Sequence, residues 1–276
     1  MPVFRVPRDN PVLDALEVVI ANEVKRLNED QHRAFFNLAN IYRNAHTQSL
    51  GIARTNALPL GSNTRSSSLF LEASRINHSC RHNAQNTWNE NIERLTVHAL
   101  RDIEEREEVT ISYLANTEEY TEQQRFLKER FKFDCKCELY SLPRAQRKRS
   151  NARLRKIQAI DRSIGAFFLG DLKPEKALRL LHTMFGLFDE EGIWDSSIAR
   201  AYKDAYDIAT ENEDESRARV FAERAYNARR LIEGDDSPVT LKMKQAARKL
   251  SSAQAPQGMS KAQFENWLWM DESSES

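Results

Sequence analysis

No run of eighteen apolar residues occurs anywhere in the 276-residue chain, so no segment reads as a membrane-spanning helix. The opening stretch, MPVFRVPRDN, lacks the apolar centre of a secretory signal. Cysteine is scarce and odd in number, three in all, which argues against a disulfide framework and for a reducing compartment. Excess charge of either sign is missing too: 41 basic residues balance 41 acidic ones, so global charge points to no polyanionic partner. Apolar residues make up only 40% of the chain and charged residues 30%, enough for a core beneath a well-solvated surface. The length fits one or two domains.

Residues 3–6 alternate as a short strand before Pro7. From Pro11 the spacing turns helical, with Leu13, Leu16, Ile20, Val24 and Leu27 at steps of three and four. A second helix is expected over 30–43 through Phe35, Leu38 and Tyr42, followed by a turn-rich stretch over 44–68. Strands are expected at Gln85–Trp88, Leu95–Ala99 and Val109–Tyr113. Pro143 breaks the pattern and opens a basic run: seven cations and no acid lie between Arg144 and Lys156. Two readings stand for that run, a solvated linker or helix face, and a nuclear-import or nucleic-acid patch. Everything beyond is helical. Ala201, Ala205 and Ala209 form one stripe, and Ala218, Phe221, Ala222, Ala225 and Arg229 another, small enough for helices to approach closely. Ser237-Pro238 reads as an N-cap followed by proline at the first helical position. The acidic, serine-rich end, 271–276, reads as a disordered tail.

The informative segment is Arg75–Tyr113. It holds Asn77-His78-Ser79-Cys80, then Asn83 and Trp88, and then Glu107-Glu108-Val109-Thr110-Ile111-Ser112-Tyr113. Further on comes Phe131-Lys132-Phe133-Asp134-Cys135-Lys136-Cys137. This order and spacing resembles the SET domain of protein-lysine methyltransferases, in particular the fungal and animal group that has MYND-containing relatives and a helical C-terminal part. The resemblance implies an α+β fold. Small SET-type β-sheets with a helical insert would occupy 1–143, and an all-α, TPR-like set of helical hairpins would occupy 144–270.

It also implies a chemistry: transfer of a methyl group from S-adenosylmethionine to a protein lysine, on a histone tail or another protein. Such a transfer needs a neutral amine held in line with the methyl in a narrow channel, with little acid–base machinery. By similarity Tyr113 would be the catalytic tyrosine, whose hydroxyl supplies a dipole without charge. Asn77, His78 and Phe133 would hold the cofactor, with Asn56 as a further contact, and Phe131 would line the lysine channel. Each has a structural alternative: Tyr113 as a core residue with its hydroxyl on backbone, His78 as a turn residue, the phenylalanines as core, Asn56 as a loop-capping amide. Nuclear or cytoplasmic placement would follow.

The chain also departs from the family's pattern. There, one cysteine of Asn-His-Ser-Cys joins a downstream Cys-x-Cys-x-x-Cys around a structural zinc; here those positions read Cys80, Cys135, Cys137 and Tyr140. Structural zinc sites are closed by four protein ligands, so either His82 stands in as the fourth or the three thiols are buried without metal. The Gly-x-Gly hairpin that would precede Pro2-Val3-Phe4 is absent from this chain, as in an N-terminally truncated, partial SET domain. Arg106 stands where the family has a glycine, in a turn that glycine makes cheaply, and His82 replaces a proline. These departures keep a second function open, a degenerate, non-catalytic interaction module acting through the helical part. Direct binding of nucleic acid ranks behind both, because the basic run has no interleaved aromatic for base stacking.

Overall fold

The structure, a computed structural model, describes residues 2–7, 13–61, 66–114 and 119–271. Pro11 as a helix start and all but the first residue of the expected 271–276 tail lie outside the described residues. The fold is α+β and divides into two compact units: residues 1–113 with 124–135, and residues 114–123 with 136–276.

In the first unit, β1 (Phe4–Pro7) is followed by α1 (Leu13–Lys25), α2 (Glu29–Phe36) and α3 (Gln48–Asn56). Strands β2 (Leu58–Pro59) and β3 (Ser66–Leu69) then complete an antiparallel sheet in the order β1-β3-β2, with Phe4 opposite Leu69. Leu16, Ile20 and Val24 are buried on one face of α1, as their spacing requires, and pack with Phe4, Val6, Phe35, Leu50, Ile52 and Leu69 into a single core.

The second expected helix is shorter than its apolar spacing suggested. Asn28 and Gln31 cap α2 reciprocally at its start, and the helix ends at Phe36. Past it, Asn40 Oδ1 accepts the Tyr42 N–H at 2.9 Å and Thr55 Oγ1 accepts that of Ile41 at 3.1 Å, so side chains replace the helical bonds. The stretch expected to be all turns contains α3. Its Gly51 is what lets it pack there, since a side chain at that position would collide with the Asn40 carboxamide.

Next come the paired short strands β4 (Asn77–His78) and β7 (Thr110–Ile111), which are parallel, and the hairpin of β5 (Ala84–Asn89) with β6 (Arg94–Ala99). The strand expected over Val109–Tyr113 is thus reduced to two residues. α4 spans Tyr120–Phe131, and its last two turns belong to the first unit.

The second unit is helical: α5 (Glu138–Ser141), α6 (Arg144–Phe167), α7 (Pro174–Glu191), α8 (Ser196–Glu211), α9 (Glu215–Glu233), α10 (Pro238–Lys249) and α11 (Lys261–Trp269). Ala201, Ala205 and Ala209 on α8 are buried, as are Ala218, Phe221, Ala222 and Ala225 on α9. Trp269 and Leu268 of α11 share a core with the α8 alanines, Ala218 and Phe221, while Ala222 and Ala225 pack with Met243 of α10. Ser237 sits at the N-cap of α10 before Pro238, but its hydroxyl donates to buried Glu233 at 2.9 Å instead of accepting a capping N–H. Much of the basic run is likewise spent internally. Arg147 donates to the Tyr120 hydroxyl at 2.6 Å, Arg155 pairs with Glu119 at 2.7 Å, and Arg153 pairs with Glu191, which is buried.

Candidate active site

Two sequence motifs more than thirty residues apart meet in the β4–β7 pair. Asn77 lies opposite Thr110 and His78 opposite Ile111, and the Ser79 N–H donates to the Ile111 carbonyl at 3.2 Å. Asn-His-Ser-Cys and Thr-Ile-Ser-Tyr therefore run side by side and deliver Tyr113 next to His78.

The register is fixed by a residue to which the sequence assigned no role. Asn83 is almost fully buried and answers β7 with both ends of its carboxamide. Its Oδ1 accepts the Thr110 N–H at 2.8 Å, while its Nδ2 donates to the Glu108 carbonyl and to Glu107 Oε1, both at 2.9 Å. Glu107 also pairs with Arg101 and accepts the Glu104 N–H at 3.0 Å. The Arg101 guanidinium, with Asn83 and the Glu104 N–H behind it, holds the Glu107 carboxyl down at about 2. The signal for this hub was an asparagine at the mouth of a strand beside a Glu-Glu turn. Only the fold could say that the two meet.

Tyr113 is held at three points. Its main-chain N–H donates to His78 Nδ1 at 3.0 Å, its hydroxyl donates to the Ile76 carbonyl at 2.7 Å, and its ring lies 4.8 Å from that of Phe131. Burial, and then the Glu108 charge, push the phenol above its ordinary value, so the proton stays on oxygen at neutral pH. The other side of His78 faces Phe133, with ring centroids 6.2 Å apart. Phe131 and Phe133 both reach this place because Lys132 between them adopts a left-handed conformation, φ +60°, that stops α4 and turns the chain. His78, Tyr113, Phe131 and Phe133 thus make a continuous aromatic wall. Asn77 is exposed at its edge, its Nδ2 donating to Glu108 Oε1 at 2.6 Å.

Asn56 belongs to a different neighbourhood. It is buried at the end of α3, where its Nδ2 donates to the Ala39 and Ile52 carbonyls at 2.6 and 2.8 Å, so any cofactor contact falls to its Oδ1. His78 uses both ring nitrogens within the protein, Nδ1 on Tyr113 and Nε2 on Cys80 Sγ at 3.2 Å. For S-adenosylmethionine the residues fit: aromatic faces for adenine and sulfonium, an exposed carboxamide at the edge, and the Glu108 carboxylate beside it.

The metal expectation fares differently. Among the described residues one group can converge on an ion, His78, Cys80 and Cys135, with all ligand atoms within 4.8 Å of one another. Cys137, at the N-cap of α5, and His82 are not in the group. Tyr140, at the fourth cysteine's place, sets its ring centroid 4.2 Å from that of Tyr120 at a tilt, and its hydroxyl donates to the Tyr120 carbonyl at 3.3 Å. A backbone N–H can only donate, so His78 Nδ1 is the acceptor and the ring proton sits on Nε2, the nitrogen that would have to bind metal. With the ring so engaged, Cys80 and Cys135 are the ligands this group offers an ion, and Tyr140 replaces the fourth cysteine of the family's pattern.

Fold and site together define a SET-type arrangement, and comparison with known proteins agrees. Residues 6–114 match the SET domain family. The chain is 33% identical over 231 residues to "Histone-lysine N-methyltransferase set5" of Schizosaccharomyces pombe, an alignment covering 83% of this chain and 70% of that protein. The chain belongs to the SET-domain family.

Proposed function

We propose that this protein is an S-adenosylmethionine-dependent protein-lysine N-methyltransferase acting on histone tails or other lysine-bearing proteins. The observation that carries the reading is the union of Asn77-His78 with Tyr113 across β4 and β7, walled by Phe131 and Phe133. Kinship with the fission-yeast histone-lysine methyltransferase supports the substrate class. The non-catalytic alternative gains nothing from this arrangement.

Bound at this wall, S-adenosylmethionine supplies an electrophilic methyl on a sulfonium. Phe133 and the His78 main chain would hold its adenosine end, with Asn77 at the edge. Phe131 and Tyr113 would flank the lysine stem and keep water from the amine. Because Tyr113 gives its proton to Ile76, its oxygen presents lone pairs to the approaching polarised methyl or amine hydrogens. It is no base: with its proton retained, the incoming lysine must already be neutral, its own proton having left to water. For a structural zinc, Cys80 and Cys135, whose sulfurs lie within 4.8 Å of one another, would be the thiolates. In the second unit, the small-residue seams of α8 and α9 and the run of consecutive helices support TPR-like hairpins offering a protein-binding surface.

The test is direct. Purified protein, S-adenosylmethionine and recombinant histones should yield histone peptides heavier by whole methyl groups at lysine. S-adenosylhomocysteine should raise the protein's melting temperature by mass action. Histones of unchanged mass, with a melting curve indifferent to the cofactor product, would overturn the proposal.

A further inference from the structure

The basic run at the start of α6 divides by helical phase. Arg147, Arg153 and Arg155 turn inward to Tyr120, to Glu190 with Glu191, and to Glu119. Arg144, Lys148, Arg149 and Lys156 are exposed, and none of them makes an ion pair or side-chain hydrogen bond with a described residue. Ser150, Leu154 and Ile157 are buried on the opposite side of the helix. At about 100° per residue the four unpaired cations fall, with exposed Ala145 and Ala152, within an arc of about 140° facing away from that side. From Arg144 to Lys156 the row extends over about 18 Å of helix.

Folding gains nothing from this arrangement. The first turn of α6 holds no acid, and cations there oppose the positive end of the helix dipole. Arg144 with Lys148, and Arg149 with Arg153, are like charges four residues apart, which repel along the helix. No acidic residue occurs from Leu139 to Ile160 to relieve them. A row that disfavours its own helix calls for an anion from outside.

We infer that this face of α6 binds the phosphate backbone of duplex nucleic acid without reading its sequence. Each DNA strand carries a phosphate about every 3.4 Å of duplex axis, so an 18 Å row spans about five phosphates and meets them with four cations. What the face lacks sets the choice of partner. It has no aromatic on which single-stranded bases would stack. Its exposed apolar side chains between residues 144 and 156 are Ala145 and Ala152, too small to anchor an acidic protein or to enter a membrane. A duplex needs neither anchor nor stacking, because release of its condensed counterions drives the contact, and releases more per phosphate than a single strand does. Phosphate contacts position a duplex and carry no sequence information. The interaction does not depend on methyl transfer, and its test does not read that activity.

The experiment titrates a short, fluorescently labelled DNA duplex with the whole chain and follows anisotropy at several salt concentrations. Four phosphate contacts give a log–log slope against salt of about −3.6, so Kd should rise about a hundredfold between about 50 and 200 mM salt. A duplex of scrambled sequence should bind equally well, and a single strand of equal length more weakly. Lys148→Gln with Arg149→Gln should lower the slope by about two and weaken binding by more than about tenfold at the lower salt. The melting temperature of this variant should not fall, since glutamine suits an exposed helix face and the repulsion is gone. Lys242→Gln with Lys249→Gln removes the same charge from exposed positions of α10 and should bind as the parent does. Absence of duplex binding at the lower salt overturns the inference. So does an α6 variant that binds like the parent, an α10 variant that loses as much, or a single strand that binds more tightly than the duplex. Polyglutamate that displaces the labelled duplex at lower charge concentration than unlabelled duplex does would assign the face to an acidic protein instead.

Discussion

The main-chain N–H of Tyr113 donates to Nδ1 of His78 across 3.0 Å, and this bond decides how both residues work. It sets the imidazole tautomer, aims Nε2–H at Cys80, and pins the end of the Thr-Ile-Ser-Tyr segment to the Asn-His-Ser-Cys segment. His78 contributes to the site mainly as a brace. His78→Ala should leave a partly buried N–H without its acceptor and cost about 1–3 kcal/mol of stability, read from urea unfolding. Methyl transfer should fall more than cofactor binding does, because Tyr113 is what loses its support. A variant of unchanged stability would remove the brace from this account.

Arg106 occupies a left-handed conformation at φ +68° and lies exposed on the turn before Glu107. A side chain there costs about 1–2 kcal/mol relative to glycine's freedom, and part of that returns through glycine's larger unfolded-state entropy. Arg106→Gly should therefore stabilise the protein by about 0.5–1 kcal/mol, visible as a higher melting temperature at unchanged cofactor binding. A drop in melting temperature would mean that the arginine has a role its weak 3.6 Å contact with Glu105 does not reveal.

The sequence made the Arg106 strain, the two meeting motifs and the aromatic pair legible, because each rests on local chemistry at short spacing. It was mute where contacts are long-range. Nothing near Asn83 announces that its carboxamide will bridge Glu107, Glu108 and Thr110. Nor did Phe131-Lys132-Phe133 disclose that a left-handed lysine would turn both rings to the site. The helix expected over 30–43 failed for a related reason: apolar spacing continues past Phe36, but Asn40 and Thr55 offer the backbone better partners. Cysteine spacing pointed to Cys80 and Cys135, which do converge, but could not show that His78 would lie beside them.

Glu107 gives a pH signature. Its folded carboxyl lies at about 2 against an ordinary 4.5, so its contribution is fully present above about pH 4.5. It should be lost progressively as pH falls from there toward 2, when protonation frees Arg101 and Asn83. Urea midpoints across that window should fall more steeply for the parent than for Glu107→Gln, which is less stable at neutral pH but flatter below. Parallel curves would show that Glu107 does not hold the turn.

Asp204 on α8 should behave in the opposite sense. Burial, seconded by the Asp207 and Asp161 charges and only partly offset by Arg200 and Lys203, raises its carboxyl from 3.8 to about 6. Its folded form prefers the proton, so the stability it allows is complete below about pH 4 and is lost as pH rises through 6. Asp204→Asn keeps the shape without the charge. It should gain about 1–2 kcal/mol at pH 7 and nothing near pH 4, by thermal unfolding at the two values. Equal gains at both would mean that packing, not ionisation, is responsible.

Tyr113→Phe is the sharpest test of the site. The change removes one hydroxyl, whose proton goes to the Ile76 carbonyl at 2.7 Å, and leaves the ring packed on Phe131 and His78. Loss of that bond should cost about 1 kcal/mol of stability, too little to unfold the unit. The effect on transfer should be larger. An oxygen whose proton is committed to backbone is oriented before substrate arrives, so its lone pairs need no reorganisation when the methyl acquires positive character. Removing one such preorganised group typically costs about 10²–10³-fold in turnover. The cofactor touches the wall mainly through Phe133 and the strand carrying Asn77 and His78, so S-adenosylhomocysteine should raise the melting temperature of the variant as it does the parent's. A variant that transfers methyl groups as fast as the parent would reduce Tyr113 to a core residue whose hydroxyl serves only the Ile76 carbonyl. One that loses cofactor binding as well would show that the hydroxyl builds the pocket rather than acting in the transfer.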